Sequence, residues 1–129
     1  MKLKDLISKI NNFNINKIFE NRNYVNKIEN LLQSVPYRTY FSLFIVDNFI
    51  NLLNKYHNIK EKLKCNEEYI NTSFYKNNNE KNDIFKKISN LKEELEKTRK
   101  EILFEWGNVK QEAINIIMKN IFMEEKIMR

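Results

Sequence analysis

One glycine and one proline, Gly107 and Pro36, are all that 129 residues contain of the two strongest turn formers. Tight turns use glycine for positive φ and proline for a preset φ. A sandwich or barrel of this length joins many short strands through such turns. Asparagine can fill some of those positions, and the chain holds 22 of them. They come, however, with 17 isoleucines and a single alanine. Asn, Ile, Lys, Phe and Tyr share A/T-rich codons, so an AT-rich genome accounts for the asparagines without any demand for turns. The constraint points to an all-α fold, either an antiparallel helical hairpin or a small three- to four-helix bundle with a coiled-coil-like C-terminal helix. The length suits one domain, residues 1–129, and an apolar fraction of 42% supplies its core.

Apolar spacing places the elements. Leu3, Leu6, Ile7, Ile10, Phe13 and Ile18 share one helical face, and Tyr24, Val25, Ile28, Leu31, Leu32 and Val35 share another. Residues 1–35 thus read as N-terminal helices around a polar turn at 20–23. Pro36 punctuates the chain, with Ser34 as an N-cap candidate for a central helix over 36–70. From Tyr37 to Leu53 that helix is apolar on nearly every side, which predicts burial on every side, as the central helix of a bundle or as one face of a docking surface. Arg38, Asp47, Asn48 and Asn51 interrupt the run, which is too short and too charged for a transmembrane span. Residues 71–82 read as an Asn-rich loop, with Asn82 or Asp83 capping a long helix over 83–129. Ile84, Ile88, Leu91, Leu95, Thr98 and Ile102 alternate steps of four and three, a heptad seam. Trp106, Val109, Ala113, Ile116, Asn120, Met123 and Ile127 extend it after a stutter. Gly107 marks either that stutter or a break, in which Asn108 and Gln111 open a second helix.

Chemistry finds little to build on. His57, Glu61 and Cys65 share a helix face, but eight residues span about 12 Å, too far for both ends to ligate one ion on a straight helix. His57 is the one histidine and so the one candidate base near neutral pH, and Cys65 stands two turns away from it. The pairs Glu67-Glu68, Glu93-Glu94 and Glu124-Glu125 point apart on a helix and read as solvated edges. One glycine cannot form a phosphate-cradling loop. No catalytic residue, metal ligand, cofactor or small-molecule substrate is expected, and the chain does not read as an enzyme. The lone cysteine excludes an internal disulfide and fits a half-buried thiol in a reducing, intracellular and most simply cytoplasmic compartment. The N-terminus lacks the apolar stretch of a secretory signal, although residues 2–18 can form a basic amphipathic helix able to touch a membrane surface.

The remaining expectation concerns partners. More faces are apolar than three or four helices need for one another, so the chain reads as a non-catalytic helical subunit, adaptor or chaperone-like protein in a larger assembly, and a protein partner or self-association through coiled-coil or bundle contacts is expected. The residues singled out for that interface are Phe104, Trp106, Ile117, Ile121 and Phe122, large groups judged to lack an internal partner. The competing expectation is nucleic acid or a ribonucleoprotein. The net charge of +6 permits it, with Lys86, Lys87, Lys92, Lys97, Arg99 and Lys100 as contacts. The aromatic and basic clusters Tyr37, Arg38, Tyr40, Phe41 and Phe74-Tyr75-Lys76 fit single strands less well than they fit core packing and a loop anchor.

Overall fold

The computed structural model describes residues 2–36, 39–72 and 76–127, with the side chains of 124–127 outside the description. Tyr37, Arg38, Phe74 and Tyr75 therefore lie outside the described residues, as does the side chain of Ile127. Every regular element among the described residues is helical, as the shortage of turn formers requires. In chain order these are α1 (Leu3–Asn12), α2 (Asn16–Glu20), α3 (Asn23–Gln33), α4 (Asp47–Asn71) and α5 (Asn78–Ile127). A π-helical segment, Phe41–Val46, leads directly into α4.

Asparagine does the punctuation that glycine and proline do not. The Asn14 side chain accepts a hydrogen bond from the Asn16 backbone at 3.1 Å, where α1 gives way to α2. The Asn21 side chain does the same for Asn23 at 2.8 Å, where α2 gives way to α3. Both are side-chain turns that imitate a backbone turn without positive φ. Asn77 caps α5, accepting from the Glu80 backbone at 2.8 Å. The final helix thus begins at Asn78, before the expected caps at Asn82 and Asp83, and shortens the expected 71–82 loop. The N-terminal region also breaks twice, near residues 13–15 and 21–22, where the spacing predicts one polar turn at 20–23. Ser34 is not an N-cap. It ends α3, its hydroxyl donating to the Asn30 carbonyl at 3.1 Å.

At 50 residues, α5 is about 75 Å long, twice the length of α4. Its first half runs antiparallel to α4. Tyr69 donates to Glu80 at 2.8 Å near the connection, and Lys92 faces Glu67 at 3.9 Å. Further along, the ring of Phe49 stacks on Trp106 with centroids 5.8 Å apart. Beyond Trp106, α5 packs against α1, and Phe13 meets the indole edge-on at 5.9 Å. α3 lies against α1 and the π segment. The result is a four-helix end from which an α4–α5 stem extends. Ile10, Ile28, Leu32, Val35, Phe41, Val46, Ile102 and Ile117 fill the four-helix core, and Ile59, Ile88 and Leu91 fill the stem. Each such side chain contributes about 1.5–3 kcal/mol on burial.

The buried row of α5 runs Ile88, Leu91, Leu95, Thr98, Ile102, Trp106, Val109, Ala113 and Ile117, with Leu95 half-buried. From Ile88 to Ile102 its steps of three and four average about 3.5 residues, the heptad period; the added step of four from Ile102 to Trp106 is the stutter, and over all eight steps the row averages about 3.6, the period of a straight helix. The row passes to Ile117 where the heptad reading has Ile116, and Met123 is exposed. Gly107 lies inside the helix on its exposed side, with no atom within 4 Å of an added Cβ. There is no break. A Gly107→Ala variant should therefore be stabilised by about 0.5–1 kcal/mol in chemical denaturation, since alanine removes the backbone entropy cost and meets no clash. Destabilisation would show that the helix does not pass continuously through this position.

Candidate interaction surface

The apolar run after Pro36 is not buried on every side, and the π segment explains how it divides. Successive residues of an α-helix are about 100° apart, so Phe41 and Val46, five positions apart, would point about 140° away from each other. Widening the turn to a five-residue repeat brings both onto one face. The Asp47 backbone donates to the Ser42 carbonyl in that wider pattern, and Phe41 and Val46 are each 1% exposed. Phe49, Ile50 and Leu53 continue the buried row into α4. The same turn leaves Tyr40, Leu43 and Phe44 outside, at 65%, 57% and 59% exposure. The Tyr40 and Phe44 rings lie 5.2 Å apart, tilted against each other. Asn48, exposed at the start of α4, donates to the Phe44 carbonyl at 2.6 Å.

Beside this exposed row opens a cleft of about 370 Å³ between the π segment and α4 on one side and α5 on the other. Phe44, Ile45, Phe49, Leu52 and Val109 make it apolar; Asn48, Asn108, Glu105 and Glu112 supply its polar groups. Sequence reasoning offers the Tyr37–Leu53 run as one face of a docking surface but does not place this cleft. The signal was present in the excess of apolar residues between Tyr37 and Leu53, but the split into inner and outer rows depends on a π turn that periodicity does not announce.

The residues singled out on α5 separate into two groups. Phe104 and Phe122 are exposed, at 70% and 67%, and Ile121 is half-buried. Trp106 and Ile117 are core residues, which corrects the expectation that they lack internal partners. The indole is enclosed by Phe13 and Phe49, and Ile117 is fully buried where α5 meets the N-terminal helices. Ile121 and Phe122 line a second groove, of about 380 Å³, with Lys4, Ile7 and Met118. It lies where α1 begins and α5 approaches its end. The exposed phenylalanines thus share no single surface with the core pair.

The face shared by His57, Glu61 and Cys65 runs from buried to exposed. His57 is buried, its Nε2 2.7 Å from the Ile18 carbonyl, and Lys60 donates to the Phe19 carbonyl at 2.8 Å. These carbonyls belong to the end of α2, where a helix leaves acceptors unpaired and favours positive charge. Arg22 completes the corner, bonding Asn58 at 2.7 Å and facing Glu61 at 3.2 Å. The one histidine therefore fastens α2 to α4. Cys65 is exposed rather than half-buried. Among the described residues, no group of three or more His, Cys, Asp or Glu is placed to hold a metal ion. No described helix is long and apolar enough to cross a membrane. The bases expected to meet phosphate are exposed, but Lys92 faces Glu67, and Arg99 lies near Glu96 and over the Phe19 ring.

No known protein family, curated protein or solved structure matches the chain. Its chemistry must be read from the surface itself.

Burial lowers the His57 pKa from its ordinary value of 6.5; the Ile18 bond opposes this, Arg22 and Lys60 add to it, and Glu61 opposes it. The folded chain then holds a proton on His57 less readily than the unfolded chain does. This contribution to stability is complete above about pH 6.5 and declines as pH falls through that value toward the lowered one. Urea midpoints should drop between pH 7.5 and 5.5, and His57→Gln should flatten the change. An unchanged pH profile in the variant would remove His57 from the account.

Proposed function

We propose that this chain is a non-catalytic helical subunit or adaptor that acts by burying a helix face against a protein partner. The observation that supports it is the contiguous exposed row of Tyr40, Leu43 and Phe44 beside an apolar cleft. Soluble chains seldom leave large apolar groups clustered at the surface unless something covers them. Aromatic anchors beside a concave site are the usual energetic centre of a protein interface. Each fully buried side chain of this kind supplies about 1.5–3 kcal/mol, enough for three to give a specific, reversible contact. Phe104 and Phe122 offer further contact area on α5.

The nucleic-acid reading has less support, because the exposed lysines of α5 alternate with glutamates and two of its bases face carboxylates. A photo-activated cross-linker at Leu43, used in the full chain in its own cells, should join a discrete protein. Replacing Tyr40 and Phe44 with serine should reduce that product by about tenfold or more while leaving the helical content unchanged. A monomer that gives no protein cross-link, or one that binds a mixed-sequence nucleic acid with a steep salt dependence, would overturn the reading.

A further inference from the structure

We infer that the cleft between the π segment, α4 and α5 receives a cationic amphipathic helix of a partner protein. This rests on the adaptor reading above and specifies the chemistry of the partner at one site. The shape comes from the two walls. Phe44, Asn48 and Leu52 stand at steps of four along one helix, and Glu105, Val109 and Glu112 stand at steps of four and three along the other. Both walls therefore repeat once per turn and run side by side for about 10–12 Å. A trough between two helices with that period accepts the apolar ridge of a third helix. Ile45, Phe49 and Val109 offer it an apolar floor, and Phe44 stands at the rim with 59% of its surface free.

The charge follows from the lining. The two charged residues among those described in the cleft are Glu105 and Glu112, both carboxylates, in a chain whose net charge is +6. Neither has an ion-pair partner among the described residues, although Glu61, Glu67, Glu68 and Glu96 all do. They are seven residues apart, about 10.5 Å along α5, so two basic side chains spaced by two helical turns on the occupant can meet both. Long lysine or arginine stems would cover the apolar rim while their charged ends reach the carboxylates. The overall positive charge of the chain acts weakly here, because salt screens it beyond about 8–10 Å, whereas the two carboxylates are in direct reach. An acidic helix would meet like charge on the same wall, which makes the pair a selector of partner sign as well as a source of affinity.

The test uses the full chain and two synthetic helical peptides with the same leucine and isoleucine face. One carries arginines two turns apart on either flank, and the other carries glutamates there. By fluorescence anisotropy the arginine peptide should bind about tenfold or more tightly than the glutamate peptide. The double variant Glu105→Lys with Glu112→Lys should reverse that order, and its circular dichroism should match the parent because both positions reach solvent. Equal binding of the two peptides, binding of neither, or an order the double variant leaves unchanged would overturn the inference. So would sedimentation showing a dimer that Phe44→Ser dissolves, since a second copy would then fill the trough. A cross-link from Leu43 that survives any of these outcomes would keep the adaptor reading while removing the cationic helix. Loss of the cross-link with intact peptide preference would overturn the adaptor reading and the partner with it, leaving only the cleft's preference for cationic helices.

Discussion

A helix that is apolar on every side needs neighbours on every side, and this protein does not have enough helices to provide them. The π segment resolves that conflict. One widened turn rotates the following residues so that Phe41 and Val46 enter the core together, in line with Phe49, Ile50 and Leu53. The consequence is a fixed sorting of the run into two rows. The inner row anchors α3 and α5 around it, and the outer row, Tyr40, Leu43 and Phe44, is left at the surface. Core formation and the exposure of the outer row are thus two results of the same backbone adjustment.

The indole of Trp106 is the second fixed point. It touches Phe49 from the central helix and Phe13 from the end of α1, so three separate chain segments meet at one buried aromatic group. On one side of it α5 belongs to the four-helix end; on the other it pairs with α4 in the stem. The buried polar groups follow the same economy of parts. His57 and Lys60 give the end carbonyls of a five-residue helix their partners, and no described buried side-chain polar atom lacks a hydrogen bond. A short helix such as α2 cannot persist on its own propensity, and here it is held by the side chains of α4.

The helical class was legible from two scarce residue types, and the long row of α5 from its spacing. Both depend on local rules that the tertiary structure leaves in force. The ends of the elements were less legible. Codon bias made asparagine look uninformative, yet Asn14, Asn21 and Asn77 each mark a helix start through a side-chain hydrogen bond. Twenty-two asparagines share that capacity, and the sequence has no way to distinguish the three that use it from those that sit on exposed helix faces. The partner residues were legible by type and not by place. Phe104 and Phe122 are exposed as expected of a free surface, but Trp106 and Ile117 are buried because α1 returns across α5, a long-range contact with no local signature. The π turn was invisible for a related reason, since a step of five resembles noise in a pattern of threes and fours.

These parts support one picture, a helical scaffold whose core is closed and which leaves the apolar row of Tyr40, Leu43 and Phe44 exposed beside a cleft. Glutamates on the opposite wall give that cleft a sign. The picture stands or falls on the sorting of the apolar run. Its most direct measurement is a pair of unfolding free energies, for Phe41→Ala and for Phe44→Ala. The inner residue should cost about 3–5 kcal/mol, as a buried phenylalanine does, and the outer one less than about 1 kcal/mol. Similar losses at both positions would mean that the run is buried on every side and that no such surface exists.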